Sequence, residues 1–595
     1  MNMQEGIMPV EAGAMVRDDL SVMVAGQGGD GSVTVIAFLA RALSQRGLYL
    51  FRANNIVSRI KGGHAASALR GSAMRRGCIG DRIDILVAFD EEAIEKEGAL
   101  LADDGVVIYD VSREPIPENF LPAGVRVIEV PFGRLSVRDL RRDLFKNCFA
   151  FGVLSRILGL SDEEALGCLK HRFRRLSAEL LQPNISALEH GFSFADDLGF
   201  KIGHGLFSLP QLEKEDRIMI SGNEATAFGF LAAGGRFFAG YPITPATDIM
   251  DWLKKNFPRV GGLAMQAEDE LAAINLAIGA SLAGARAMTA SSGPGVALMQ
   301  ESVGHCGSAE IPLVIVDCQR AGPSTGMPTK TGQGDIGMLT QGSNGDFPRI
   351  VLSPGSAEEC FEYGVLATNL SQVAQCPVYI ALDDMCQFTY TVPVFDLDSV
   401  SIDKGKRPGA AEIAALEEYR RYALTEDGIS PRAIPGQPGG MNLVTGNERN
   451  EWGQVSADPE NRIRMVDKRA RKIESIRHRL PKALEWGDKN AEIGIICTGM
   501  IGDVLAEACE LLAEQGLKLK CHRLRTLWPV LDGSVAFARS CKRVYVVEFN
   551  SGAQMARLLK GAGAPADNMK SILQYDGVPM RTVQLIEAIL EMEQQ

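Results

Sequence analysis

Short apolar runs recur along the chain at 83–89, 105–110 and 125–130, again at 313–316, 349–352 and 378–382, and once more at 493–499 and 544–548. The intervals between them leave room for helices. Strand-sized segments alternating with helix-sized ones specify α/β architecture with largely parallel sheets. A chain of 595 residues is too long for a single core and divides, at about 150 residues per domain, into three or four folding units. The pattern places these at 1–195, 215–400 and 489–595. The stretch 207–216, with the breaker Leu209-Pro210, is a linker, and 401–488 is an irregular connecting segment rich in Pro and Gly.

Composition narrows the function classes. An apolar fraction of 46% and a charged fraction of 23% are those of a soluble globular protein. Runs of 18 apolar residues are absent, as is a basic start followed by an apolar core, so the expectation is a cytoplasmic chain with no membrane association. A net charge of -12 argues against nucleic acid as partner. The basic runs Arg75-Arg76 and 468–472 are expected to be solvated helix faces. No two of the twelve cysteines stand within four positions of one another, whereas iron–sulfur and structural zinc sites want close thiolate pairs. The seven histidines form no ligand spacing either, so no metal is expected on this chain alone.

Four segments carry the chemistry. In Tyr241-Pro242-Ile243-Thr244-Pro245-Ala246-Thr247-Asp248 the two prolines fix a rigid extended turn that holds Thr244. The run 266–270 opens a small-residue helix and contains Glu268 and Glu270. Glu270 starts an Glu-x-x-Ala pattern with Gly279 nine positions on; acids at a helix N-terminus that merely suit the dipole are the bland alternative. Thr289 to Gly295, with Ser292 and Gly293, reads as a strand running into a glycine turn. In 317–330, Arg320 offers a planar fork suited to a carboxylate, and Thr329 a hydroxyl beside Pro328. A structural salt bridge and turn capping are the competing roles. Near the N-terminus, a strand over 20–25 ends in Gly26-Gln27-Gly28-Gly29-Asp30-Gly31 before a helix over 33–46, the makings of an anion cradle. Two other readings stay open: Gly29-Asp30-Gly31 with Asn54-Asn55 as a diphosphate–Mg²⁺ motif, and glycines serving only strand-to-helix packing.

From about residue 20 to the end the chain resembles the α subunit of the 2-oxoacid:ferredoxin oxidoreductases, thiamine-diphosphate enzymes that oxidise 2-oxoacids to acyl-CoA. Val57-Ser58-Arg59-Ile60-Lys61-Gly62-Gly63-His64 looks like the γ domain of that family. The resemblance implies an α/β protein of three doubly wound or open-sheet domains: a γ-type CoA-contacting domain, a pyrimidine-binding thiamine domain and a transketolase C-terminal-like domain. It implies oxidative decarboxylation of a 2-oxoacid, with 2-oxoglutarate favoured over pyruvate or a branched or aryl 2-oxoacid, and CoA as the acyl acceptor. A β subunit would bring thiamine diphosphate, Mg²⁺ and an iron–sulfur cluster, ferredoxin would accept the electrons, and two αβ heterodimers would associate. A non-catalytic subunit binding CoA or a nucleotide through the glycine loop is the alternative of another class.

Carried over residue by residue, Glu270 or its rival Glu268 activates thiamine with Thr244 nearby. Thr244, Arg320, Thr329, Tyr241 and Pro242 bind substrate. Gly26, Gly28, Gly29, Gly31, Arg59, Gly62, Gly63, Ser292 and Gly293 contact cofactors. The chain departs from the family pattern at Asn344-Gly345-Asp346 and Asn447-Glu448-Arg449, where relatives carry a histidine in place of Asn344 and of Arg449. If either histidine shapes substrate choice, those positions bear on the substrate and not on the fold.

Overall fold

The computed structural model of the chain describes residues 15–56, 63–112, 114–140, 145–203 and 205–594. The chain forms two compact units, Met1–Met219 with Phe388–Pro393, and Ile220–Gln387 with Val394–Gln595.

In the first unit the sheet order begins Arg126–Val130, Leu101–Asp110, Ile83–Ala88, Asp19–Gln27, His64–Ser72, Tyr49–Ile56 and Thr389–Pro393. The first four strands are parallel, and the remainder pair antiparallel, so this sheet is mixed. Its seventh strand, Thr389–Pro393, comes from a stretch that the sequence assigns to 215–400, and the Thr391 hydroxyl accepts from Leu50 N at 3.1 Å. Helix Ser32–Gln45 buries Val35, Ile36, Phe38, Leu39 and Leu43, the spacing of an amphipathic core helix. Helices Lys146–Ile157 and Ala178–Asp197 meet at two glycines: a Cβ on Gly152 would lie 2.4 Å from the Leu188 carbonyl oxygen. Only hydrogen fits there.

The larger sheet of the second unit runs Leu263–Gln266, Phe237–Gly240, Ala287–Ser291, Leu313–Cys318, Pro377–Leu382, Ile350–Leu352 and Thr526–Trp528. All neighbours are parallel except the last pair. Strands buried on both faces need continuous apolar runs, and Leu313–Cys318 and Pro377–Leu382 are buried throughout. A five-stranded sheet follows, ordered Leu484–Gly487, Leu519–Leu524, Ile493–Thr498, Arg543–Glu548 and Met569–Leu573. The two sheets share one core in which Ile274, Val296 and Ile315 join Val535, Val546 and Leu559.

Apart from the short helix Ala410–Ala414 the connecting segment is irregular up to helix Pro459–Ile476, and here the structure corrects one expectation. The basic run 468–472 is not a solvated face: Lys468 and Lys472 are fully buried and Arg469 nearly so. Lys468 Nζ stands 2.7 Å and Lys472 Nζ 2.5 Å from the buried Glu310 carboxylate. The compensating charge lies 158 residues away in sequence, beyond the reach of local pattern. Arg449 is likewise buried. Its guanidinium donates to Ser308 O at 3.0 Å, Ser308 Oγ at 2.8 Å and Asn447 O at 2.7 Å, tying the connecting segment to the end of helix Gly293–Ser308. Asn344 is exposed.

Candidate functional site

Strand order in the larger sheet reverses between Phe237–Gly240 and Ala287–Ser291. Successive strands lie to one side of the first of these and to the other side of the second. In open α/β sheets the crevice at the carboxyl ends of such a pair is where ligands bind. Two of the segments singled out in the sequence begin there. Tyr241 follows the first strand directly, and Ser292 follows the second and precedes helix Gly293–Ser308. The stretch read as a glycine turn is thus the N-terminal end of a 16-residue helix.

Glu270 and Glu268 part company. Glu270 is 7% exposed, whereas Glu268 is exposed. Capping of helix Glu270–Leu282 falls to Asp269, whose carboxylate accepts from Ala272 N at 2.7 Å. Glu270 is therefore not needed as a cap, and its side chain turns inward against Gly295, where a Cβ would lie 2.8 Å from Glu270 Oε1 and 2.1 Å from Ser291 Oγ. The absence of a side chain at Gly295 makes room for that carboxyl group.

Arg320 is buried, 6% exposed, and its Nη1 donates to the Thr244 carbonyl oxygen at 2.7 Å. The guanidinium is thus tied to the turn of Tyr241 to Asp248, in which Thr244-Pro245 is cis. Asn223 Nδ2 braces the same turn through Pro245 O at 2.8 Å. Thr244, Pro242 and Thr329 are half-buried, and Tyr241 is 40% exposed.

Two acids that the sequence reading passed over complete the cluster. Asp317 stands beside Ser291 in register at the end of its strand and is wholly buried. Asp335 packs on the helix start: a Cβ on Gly293 would lie 2.5 Å from its Oδ2. Burial, with the Asp335 and Cys318 charges adding, pushes the Asp317 carboxyl up; burial likewise pushes Asp335 up to about 6, with Arg320 opposing. The signal available was a charged residue ending an all-apolar parallel strand. Ser291 Oγ, Ser292 Oγ, Thr289 Oγ1, both Asp317 oxygens, Asp335 Oδ2 and Arg320 Nε are buried with no protein hydrogen-bond partner. Buried polar groups are ordinarily satisfied, so this concentration marks a place where a polar ligand completes the bonding. A buried carboxyl, hydroxyls and a glycine-lined helix start fit a planar heterocycle bearing donors and acceptors.

In the first unit, the glycine loop has the backbone that its residues predict: Gly29 and Gly31 have φ of 108° and 85°, and Gly28 N donates to Gly63 O at 2.7 Å. A Cβ on Gly31 would lie 1.9 Å from Asn147 Nδ2. Asp30, however, turns its carboxylate onto the loop, accepting from Gln27 N at 3.2 Å and pairing with Lys146 at 2.9 Å. Beside it, a cavity of about 220 Å³ is lined by Asp90, Glu91, Glu92, Asp110 and Glu114 among others. The loop brings its own anion. Gly26 meets Phe89, and Arg59 and Gly62 lie outside the described residues.

Comparison with known proteins identifies the family. Residues 229–468 match the family described as pyruvate flavodoxin/ferredoxin oxidoreductase, thiamine diP-binding, and residues 21–194 match pyruvate ferredoxin/flavodoxin oxidoreductase. The 2-oxoacid:ferredoxin oxidoreductase subunit alpha of Saccharolobus solfataricus is 30% identical over 96% of this chain and 97% of its own. The 2-oxoglutarate synthase subunit KorA of Methanothermobacter thermautotrophicus is 36% identical over 63% of this chain and 99% of its own. Among solved structures, 2-oxoglutarate:ferredoxin oxidoreductase from Magnetococcus marinus, with 2-oxoglutarate, coenzyme A and succinyl-CoA bound, superposes with a TM-score of 0.90 at 32% identity, covering 97% of this chain and 99% of that one. The chain belongs to the 2-oxoacid:ferredoxin oxidoreductase family, as an α subunit.

Proposed function

We propose that this chain, joined to a β subunit, oxidatively decarboxylates 2-oxoglutarate: 2-oxoglutarate and CoA become succinyl-CoA and CO₂, and two electrons pass to ferredoxin. The observation that carries the reading is the inward-turned carboxyl of Glu270 amid unsatisfied polar atoms at the sheet's switch point. Likeness to the Magnetococcus marinus enzyme favours 2-oxoglutarate over pyruvate. Thiamine diphosphate, when bound, supplies the electron sink that 2-oxoacid decarboxylation requires.

This chain's residues do the rest. Glu270, rather than Glu268, holds a proton at the aminopyrimidine ring from a site where water is scarce. Arg320, held by the Thr244 carbonyl, takes a substrate carboxylate, and the hydroxyls of Thr244 and Thr329 donate to the ketone oxygen. Tyr241 and Pro242 line the entrance, and Ser292 and Gly293 meet the cofactor. The first unit contacts CoA, with Gly26, Gly28, Gly29, Gly31, Arg59, Gly62 and Gly63 as its candidate residues; because the Asp30 carboxylate already occupies the glycine loop, CoA's phosphates lie outside that loop.

The iron–sulfur cluster belongs to the β subunit, a reading supported by the scattered cysteines of this chain, and thiamine diphosphate and Mg²⁺ are shared with that subunit. Helices Glu270–Leu282 and Gly293–Ser308 pack together and leave Leu271, Leu276 and Leu298 exposed, an apolar surface suited to that subunit. The assembly is a cytoplasmic pair of αβ heterodimers. No helix among the described residues is long and apolar enough to cross a membrane.

A panel of 2-oxoacids offered to the co-expressed αβ complex with CoA and a low-potential dye tests the reading. The highest kcat/KM is expected with 2-oxoglutarate; preference for pyruvate would reassign the substrate, and inactivity with every 2-oxoacid would refute the assignment.

A further inference from the structure

Arg320 opens a loop that leaves the end of its strand and comes back on itself. Ala321 N donates to Lys330 O at 3.0 Å and Met327 N to Ala321 O at 2.8 Å, so residues 322–328 form an exposed tip and Lys330 returns to the start. The return segment lies on Arg320 itself: a Cβ on Gly332 would stand 2.9 Å from the Arg320 carbonyl carbon and oxygen. Residues 331–337 are in turn held by the five-stranded sheet. Gln333 is 1% exposed. Its backbone N donates to Phe549 O at 2.8 Å, and its carbonyl accepts from Asn550 Nδ2 at 3.1 Å. Its side-chain oxygen accepts from Phe549 N at 3.3 Å, while Nε2 donates to Asp383 Oδ2 at 3.1 Å and Thr498 O at 3.3 Å. Gln333 thus joins the carboxyl ends of strands Pro377–Leu382, Ile493–Thr498 and Arg543–Glu548, which belong to two sheets. Gln554 clasps the next turn, donating to Gly334 O and accepting from Gly337 N, both at 2.7 Å. Gly577 O accepts from Thr331 N at 3.3 Å. With a φ of 79° Gly577 lies so close to the loop that a Cβ would come 2.7 Å from Met327 Cε and 3.0 Å from Lys330 Cβ.

A guanidinium that reads a carboxylate through parallel N–H donors must be placed to within about 0.5 Å, and a site carried on a loop depends for that on the groups behind it. We propose that Gln333, with Gln554 and Gly577, is a positioning residue for 2-oxoacid recognition: through these three the five-stranded sheet fixes the loop from which Arg320 and Thr329 bind the substrate. The inference rests on Arg320 and Thr329 binding substrate, as proposed above, and adds the residues that place them.

Steady-state kinetics of the αβ complex test this through separate Michaelis constants for 2-oxoglutarate and CoA. Gln554→Ala removes two bonds at a half-buried position and should raise the constant for 2-oxoglutarate about threefold. Gly577→Ala, which drives a methyl group into Met327 and Lys330, should raise it about tenfold, as should Gln333→Met, which keeps the length of the side chain and loses its bonds. The constant for CoA should stay within about twofold of wild type in all three. Gly516→Ala is the control. Gly516 has a φ of 88° and open space where a Cβ would go, so the variant strains the C-terminal domain in the same way but away from 331–337, and both constants should match wild type. A merely structural role would lower stability and the active fraction without moving either Michaelis constant. A wild-type constant for 2-oxoglutarate in Gln554→Ala and Gly577→Ala would overturn the proposal, as would an equal rise for CoA; Gln554→Ala decides if the buried Gln333→Met does not fold. A complex inactive with every 2-oxoacid would sink the functional reading, and an unchanged constant in Arg320→Ala the placing of the substrate. A raised constant in Arg320→Ala beside wild-type constants in these variants would sink this inference alone.

Discussion

The Glu270 carboxyl occupies the space that a side chain on Gly295 would fill: a Cβ there would lie 2.7 Å from Glu270 Cγ and 2.8 Å from Oε1. An acid that begins one helix is thus seated on the first turn of the next. Helix Glu270–Leu282 has its cap in Asp269, so the burial of Glu270 serves no local purpose. Glu270→Gln in the αβ complex should retain the fold and lower kcat at least a hundredfold, because an amide matches the shape but cannot move the proton. Glu268→Gln should stay within about threefold of wild type. The two kcat values decide between the acids, and the reverse outcome would transfer the role to Glu268. Gly295→Ala should depress kcat as well, by displacing the carboxyl.

Arg320 is held by one hydrogen bond to the Thr244 carbonyl. Arg320→Lys keeps the charge but loses the fork, and should raise the Michaelis constant for the 2-oxoacid about tenfold, equivalent to about 1.4 kcal/mol. Arg320→Ala should raise it further, and Thr329→Val should act mainly on kcat. An unchanged Michaelis constant in Arg320→Ala would make the residue a structural pin.

Glu310 predicts a stability effect remote from chemistry. Burial alone would push its carboxyl up, but the charges of Lys468, Lys472 and Arg421 outweigh burial and hold it well below the usual carboxylate range. Glu310→Ala strands two buried ammonium groups and should destabilise the second unit by about 3–5 kcal/mol, visible as a lower denaturation midpoint. Since the folded-state value is depressed, the Glu310 carboxyl's contribution is complete just above the unfolded carboxyl's 4.5 and disappears as pH falls through the lower folded value, while burial, which lowers Lys468 to about 7, limits the pairing on the alkaline side. Acid titration of the unfolding midpoint should therefore show less loss below pH 4.5 in the variant than in wild type.

Arg449 makes a contrasting case. It is buried and saturated by Ser308 and Asn447, so its departure from the family's histidine reads as structural. Arg449→His should lower stability by leaving the Ser308 carbonyl unpaired, about 1–3 kcal/mol. Substrate preference should not change. A switch in the preferred 2-oxoacid would contradict this placement.

These examples show what a sequence can disclose. Strands such as Leu313–Cys318 and Pro377–Leu382 were legible because burial on both faces demands an unbroken apolar run, and the Tyr241 turn because proline dictates local backbone. Three things escaped local pattern. Lys468 and Lys472 read as solvated because their partner Glu310 is distant in sequence. Asp317 opens the segment 317–330 already marked for chemistry, whereas Asp335 lies beyond it; only the sheet's register sets Asp317 beside Ser291, and only the fold carries Asp335 to the start of helix Gly293–Ser308. Thr526–Trp528 lies within the span 489–595 yet pairs with Ile350–Leu352 of the larger sheet, a long-range choice that β-propensity does not encode.

The central claim is that this chain turns 2-oxoglutarate into succinyl-CoA only in company with its β subunit. Mass-spectrometric quantification of succinyl-CoA, with the chain alone and with the αβ complex, each supplied with 2-oxoglutarate, CoA, thiamine diphosphate, Mg²⁺ and oxidised ferredoxin, tests it directly. The account predicts none from the chain alone and, from the complex, one succinyl-CoA for every two electrons delivered to ferredoxin. Succinyl-CoA from the isolated chain, or none from an intact, cofactor-loaded complex, would contradict it.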